Sequence, residues 1–266
     1  MKHGVWVWAV FALSACAASP DLGTGSVLAA QDKSEDVSAI EEFKETDKDG
    51  SAERDFGYSW PGQIAGLPAL VSRMEQDRDE ARMAQEKEWK EAIAEFGAEG
   101  CFSCTSRSFE RNWRVIADTK RYVSLASNTY IYGGGAHGNS YSGSLVWDKK
   151  TDEHVKLTDL FTSSQDLQNA MWPRFCKVLN EQRAEKRGAP ISPDSTDSFE
   201  TCPDIDSITV QLASSDGQSI DQINLIADPY VAGPYVEGPY EVTLGVDRQV
   251  FGVLKPEALI HFQFGR

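Results

Sequence analysis

Apolar and polar positions change rhythm several times along this chain, and each change marks an element. Phe56, Tyr58 and Trp60 alternate with smaller or polar residues and Pro61 stops the run, which predicts a short strand. Pro68 stands where proline opens a helix best. Leu70, Met74, Ala81, Trp89, Ile93 and Phe96 then recur at multiples near 3.6 until Gly97, predicting one long helix with a charged outer face. The period next falls to two. Phe109, Trp113 and Val115 alternate with Glu110, Asn112 and Arg114, and Tyr122 to Tyr132 alternates again, as antiparallel strands do. A Gly-rich loop, Tyr132-Gly-Gly-Gly-Ala-His-Gly-Asn139, leads to a strand over residues 142–147, a turn at 148–151 and a short run from His154 to Leu157.

The second half opens with a helix. Ser163 and Asp166 fit a capping box, and Leu167, Ala170, Met171, Phe175, Val178 and Leu179 mark the buried face. Pro173 lies inside this pattern and should kink it or start a new segment. Residues 188–205 form a Pro/Ser/Asp loop. Ile208, Val210 and Leu212 alternate, Asp216-Gly217 turns the chain, and Ile223 and Leu225 return as a hairpin. A last strand runs over 242–246 and a short helix ends near Pro256. Each half thus has a helix and antiparallel strands, without the strict alternation of a doubly wound sheet, which predicts an α+β fold.

The first residues have a different pattern. Lys2 and His3 precede an apolar run from Gly4 to Leu13, followed by Leu13-Ser14-Ala15-Cys16. The layout is that of a secretory signal peptide over residues 1–15, too short to cross a bilayer. Its end resembles a bacterial lipobox, which implies lipidation of Cys16; ordinary secretion with cleavage near Ala18 is the alternative. With Ala17 next and no Asp retention signal, the expected location is a lipoprotein on the periplasmic face of the outer membrane. Residues 16–55 are small, polar and acidic; Asp32 to Asp55 holds ten acids against four bases, and the stretch reads as a disordered tether. Asp47-Lys48-Asp49-Gly50 hints at a calcium loop, but Phe56 stands where its bidentate Glu belongs.

Charge and cysteine usage agree with that compartment. The formal net charge is −15, which disfavours nucleic acid and favours basic partners. Lipidation of Cys16 would leave Cys101, Cys104, Cys176 and Cys202, an even number that reads as two disulfides. Of the three connectivities, Cys101–Cys104 with Cys176–Cys202 is favoured. A redox role for the Cys-x-x-Cys pair is the alternative, although here a helix precedes it and a strand follows.

Three segments taken together resemble a known family. They are the Gly-rich loop 132–139; Trp147-Asp148 followed by Leu157-Thr158-Asp159-Leu160-Phe161; and Asp228-Pro229-Tyr230, Gly233-Pro234-Tyr235 and Glu237-Gly238. They are similar to bacterial extracytoplasmic domains that include the sensing domain of the lysozyme-binding anti-sigma factor RsiV and the non-catalytic N-terminal part of the peptidoglycan deacetylase PdaC. The resemblance covers roughly residues 56–266. It implies two adjoining subdomains, a deacetylase-associated one at 56–150 and a sensor-like one at 151–266, each with antiparallel strands packed on a helix. It also implies a non-catalytic envelope module, with no cofactor. Its expected partners are the membrane through the anchor, and a cationic protein such as a lysozyme or a peptidoglycan-derived glycan.

Candidate contact residues are Tyr132, Gly134, His137 and Asn139 in the loop, and Tyr230, Tyr235 and Tyr240, which recur every five residues. Glycines would let a ligand approach the backbone, and exposed tyrosines on Gly-Pro turns make rigid contacts. The plain alternative is a hairpin turn and tyrosines folded onto a sheet edge. Catalytic signatures are missing from this sequence: no Gly-x-Ser-x-Gly elbow, no Asp-Asp with a His-x-x-x-His pair, and four histidines (His3, His137, His154, His261) far apart. A hydrolase using His137 and a purely structural envelope spacer remain as alternative functions.

Overall fold

The computed structural model describes residues 40–192 and 194–265. The leader and Cys16 lie outside the described residues. Ile40–Asp49 (β1) and Ala52–Pro61 (β2) form a hairpin. Pro68–Phe96 (α1) follows, then a single turn over Phe102–Thr105 (α2). Arg107–Asp118 (β3), Tyr122–Tyr132 (β4), Asn139–Asp148 (β5) and Glu153–Val155 (β6) complete a six-stranded sheet in chain order. Its neighbours are antiparallel except β2 and β3, which run parallel because α1 carries the chain back to the starting end. The strands of the first half are therefore not purely antiparallel.

The fold begins earlier than the composition suggests. Residues 40–55, expected within the tether, are β1, its turn and the start of β2. Gly50 takes the left-handed conformation, with φ of 60°, at the turn after the calcium-like Asp47-Lys48-Asp49. The acids of β1 are not all solvated. Glu45 and Asp47 pair with the fully buried Arg54 of β2, whose Nη1 also donates to Gln85 Oε1 of α1 at 3.3 Å. Phe43, two residues before Glu45 on the same face, meets Phe56 edge-on at 6.0 Å. A strand whose inward positions are one phenylalanine and two carboxylates buries little, yet those carboxylates neutralise an otherwise unpaired buried cation.

Leu157–Leu160 (α3) and Ser164–Arg187 (α4) open the second half. Thr209–Ala213 (β7), Gln222–Ala227 (β8) and Tyr240–Gly245 (β9) form an antiparallel sheet, followed by Arg248–Gly252 (α5). Ser163 Oγ accepts from the Asp166 N–H at 3.0 Å, the expected cap of α4. The helix runs through Pro173 as one element. A mid-helix proline costs about 3 kcal/mol. Leu167, Met171, Phe175 and Leu179 are each fully buried against this sheet, and each contributes about 1.5–3 kcal/mol, so packing overrides the break.

Two cores result. Phe56, Tyr58, Phe109, Leu125 and Leu145 meet Leu70 and Met74 of α1 on one face of the six-stranded sheet. On its other face, Ala117, Tyr122 and Val146 join the core built by α4 and β7–β9. Hydrogen bonds from Thr209 Oγ1 to the Ser142 carbonyl (3.1 Å) and from Gln211 Nε2 to the Gly143 carbonyl (2.9 Å) fasten β7 to β5. The fold is α+β. Cys101 is bonded to Cys104, and Cys176 on α4 to Cys202 in the following loop. No helix among the described residues is long and apolar enough to cross a membrane. The two disulfides agree with an extracytoplasmic domain.

Candidate ligand-binding site

The Gly-rich loop joins β4 to β5 and is clasped by the Cys101–Cys104 turn. The Gly135 N–H donates to the Ser103 carbonyl at 3.1 Å, and the Tyr132 hydroxyl donates to the Gly135 carbonyl at 2.8 Å. At Gly134, φ is 96° and a Cβ would lie 2.9 Å from the Ser103 carbonyl oxygen, so only glycine fits. Asn139 Oδ1 accepts from the Ser140 N–H at 3.0 Å. Tyr132, Gly134 and Asn139 thus have local structural duties that explain them. His137 does not. Its Nδ1 contacts the Gly138 carbonyl at 2.9 Å, and its exposed ring stacks on Tyr235 with centroids 4.1 Å apart.

Tyr235 comes from the other half of the chain, and Tyr230 stacks on it in turn at 5.7 Å. The three rings form an exposed aromatic platform; Tyr230 is 51% and Tyr235 37% accessible. Tyr240 is not part of it. It is fully buried at the start of β9, its hydroxyl donates to Glu237, and Lys186 Nζ lies 3.9 Å from its ring centroid. Burial, then the Glu237 hydrogen bond, push its phenol up to about 12. The five-residue spacing therefore separates two presented tyrosines from one core tyrosine.

Two arginines near the end of α4 position the platform. Arg183 is fully buried and donates to the carbonyls of Ala232 (2.9 Å), Glu200 (2.9 Å) and Thr201 (3.0 Å) and to Asn180 Oδ1 (2.9 Å). Arg187 grips both carboxylate oxygens of Glu237, at 2.8 and 2.9 Å, and its hydrogen bond holds that carboxyl below the usual range. Ala232 and Glu237 flank Tyr235 in the chain, so both arms of its loop are tied to one helix. On the other side, Asp228 accepts from the Ser142 N–H of β5 with both oxygens at 3.0 Å. Tyr230 itself has φ of 73°, a left-handed conformation that is an outlier for a bulky residue.

The platform can stack a planar or apolar ligand face and offer hydrogen bonds from two phenols and an imidazole. Among the described residues no hydrogen bond links His137 to a serine or carboxylate, the pair that a hydrolase using His137 requires. No group of three or more His, Cys, Asp or Glu among them is placed to hold a metal. An exposed aromatic cluster is also the feature that a structural spacer should lack.

A second concavity was not apparent from the sequence. A cleft of about 400 Å³ opens beside α1 on the face of β3–β5 away from β7. Strand pairing sets Tyr58, Arg111, Thr129 and Tyr141 in one row across β2–β5 and Trp113, Ser127 and Gly143 in the next. A signal did exist. On β4 the face that buries Val123 and Leu125 continues as Ser127 and Thr129, polar residues where a covered sheet would be apolar.

Comparison with known proteins bears on the first half most directly. No curated protein matches the chain. Among solved structures, a DUF3298 family protein of Pseudomonas aeruginosa is 16% identical, with a TM-score of 0.49, over 86% of this chain and 97% of that one. A DUF3298 member from Bacteroides fragilis is 18% identical, with a TM-score of 0.44, over 84% and 97%. The family model described as deacetylase PdaC matches residues 35–140, from just before β1 to the first residues of β5. The stretch that holds β1–β4 and the Gly-rich loop is therefore the part of this chain that is similar to the PdaC family.

Proposed function

We propose that this protein is a lipid-anchored envelope module that captures a cationic, lysozyme-like protein on its aromatic platform without turning it over. The observation that carries this reading is the stack of His137, Tyr235 and Tyr230. Two distant segments are brought together, the tyrosine-bearing one held by the buried Arg183 and the partly buried Arg187, yet the rings they present are left exposed. Aromatic anchors of this kind dominate protein interfaces. The net charge of −15 supplies long-range attraction to a basic partner, and the resemblance to the RsiV sensing domain points the same way. Lipidation of Cys16 would hold the module at the membrane.

Calorimetry of the full chain against a cationic c-type lysozyme tests the reading. Binding should weaken steeply from low to high salt and fall by at least about tenfold in Tyr235→Ala. Tyr235 contributes no side-chain hydrogen bond among the described residues, so this variant should fold. Absence of binding, or binding indifferent to Tyr235, overturns the proposal. A peptidoglycan-derived glycan is the second reading for the same platform, since rings also stack on sugars. It predicts binding that salt leaves unchanged.

A further inference from the structure

We propose that the cleft beside α1 is a separate binding site for a sugar ring that carries a carboxylate. None of the three platform residues lines it, and its positive balance is the opposite of the chain's net charge of −15. Arg73 and Arg111 both line it, against the single carboxylate of Asp77. Asp77 Oδ2 receives Arg111 Nη1 at 2.6 Å and the Tyr58 hydroxyl at 2.6 Å, while Arg111 Nε donates to Thr129 Oγ1 at 2.9 Å. These bonds fix the guanidinium and use two of its three nitrogens; no described residue accepts from Nη2. Arg73 is exposed and has no ion pair or side-chain hydrogen bond among the described residues. Two arginines and one aspartate leave one unit of positive charge, which suits a monoanion such as a carboxylate better than a phosphate dianion.

The remaining walls suit a sugar. Trp113 Nε1 is spent on the Tyr58 hydroxyl at 2.8 Å, which orients the indole, and Tyr141 stands 45% exposed. Aromatic faces with adjacent hydroxyls are what a pyranose ring requires, and the Ser127 and Tyr141 hydroxyls have no side-chain partner among the described residues. Gly143 keeps the floor open where a Cβ would run into Ser127 Oγ. His154 sits on the wall. Burial first, then the charges of Arg73 and Lys156, lower its pKa against the opposing pull of Asp159. It is therefore neutral at pH 7 and able to hydrogen-bond in either direction. The volume lies within the range of small-ligand pockets.

A matched pair of probes isolates the carboxylate. N-acetylmuramic acid and N-acetylglucosamine share a ring and differ by a lactyl carboxylate. Titration of the full chain, followed by calorimetry and tryptophan fluorescence, should show saturable binding of the acid at least about tenfold tighter than the neutral sugar. Arg73→Ala should abolish the preference, and Tyr141→Ala should weaken both sugars together. Equal affinities, no binding of either sugar, or a preference that survives Arg73→Ala would overturn the proposal, as would lactate competing as well as the acid sugar. Platform and cleft share no tested residue, so either proposal can fail alone.

Discussion

Tyr230 shows how much a single residue is made to do. A non-glycine residue in the left-handed region costs on the order of 1–2 kcal/mol, and a tyrosine there needs a reason. The backbone around it is fixed on both sides: its N–H donates to the Gly233 carbonyl at 3.0 Å and the Val231 N–H to the Asp228 carbonyl at 3.0 Å. A glycine would serve that turn without strain. Tyrosine gains a ring stack worth about 0.5–1.5 kcal/mol, which offsets the strain without exceeding it. Tyr230→Gly should therefore leave stability within about 1 kcal/mol of the parent, while binding of the cationic partner falls. Chemical denaturation and calorimetry on the same preparation check both halves. A variant several kcal/mol less stable would mean that Tyr230 holds the fold, and its strained backbone would then carry no functional meaning.

At the scale of elements, legibility in the sequence followed the strength of one-sided burial. α1 and α4 were readable because Leu70, Met74 and Trp89, and Leu167, Met171 and Phe175, return to one face. β1 was not, because its inward acids look like solvated linker until Arg54 is seen beneath them. The platform was half legible: Tyr230, Tyr235 and His137 stood out singly, but their stacking depends on pairing elements 93 or more residues apart, which no local pattern encodes. The cleft depends on register across four strands and was invisible for the same reason. What ties down the tyrosine-bearing loop of the platform is the end of α4, and it can be tested. Arg183→Ala would remove the donors to the buried Ala232 carbonyl and the less buried Glu200 and Thr201 carbonyls, at about 1–3 kcal/mol for each one left buried and unpaired. A loss of at least about 3 kcal/mol is expected. Amide exchange should rise in residues 228–238 before it rises in β3–β5. Uniform loosening of the whole chain would show that Arg183 supports the core rather than the platform.

For the whole molecule, the charged pairs that hold its parts together set its response to acid. Glu237 is held below its ordinary pKa by the bound Arg187, and Asp47 by the bound Arg54. At Asp148 burial pushes upward, but Arg121 and the amides of Lys150 and Thr151 together prevail and lower it. A carboxylate whose folded pKa is depressed contributes stability that is fully present above its unfolded value near 4 and is lost as the pH falls through the folded value. His261 and His154 act in a higher window. Burial and nearby arginines lower both, so the unfolded chain takes up their protons first as the pH falls below about 6.5, and stability drops there too. Both effects have the same sign. Melting temperature should be flat between pH 7 and 8, decline from about pH 6.5, and fall more steeply below about pH 4. His154→Gln with His261→Gln should flatten the upper step and leave the lower one, whereas Glu237→Gln should lower stability at pH 7 and reduce the acid step. A protein that grows more stable between pH 7 and 5 would contradict the lowered histidine pKa values on which the upper step depends.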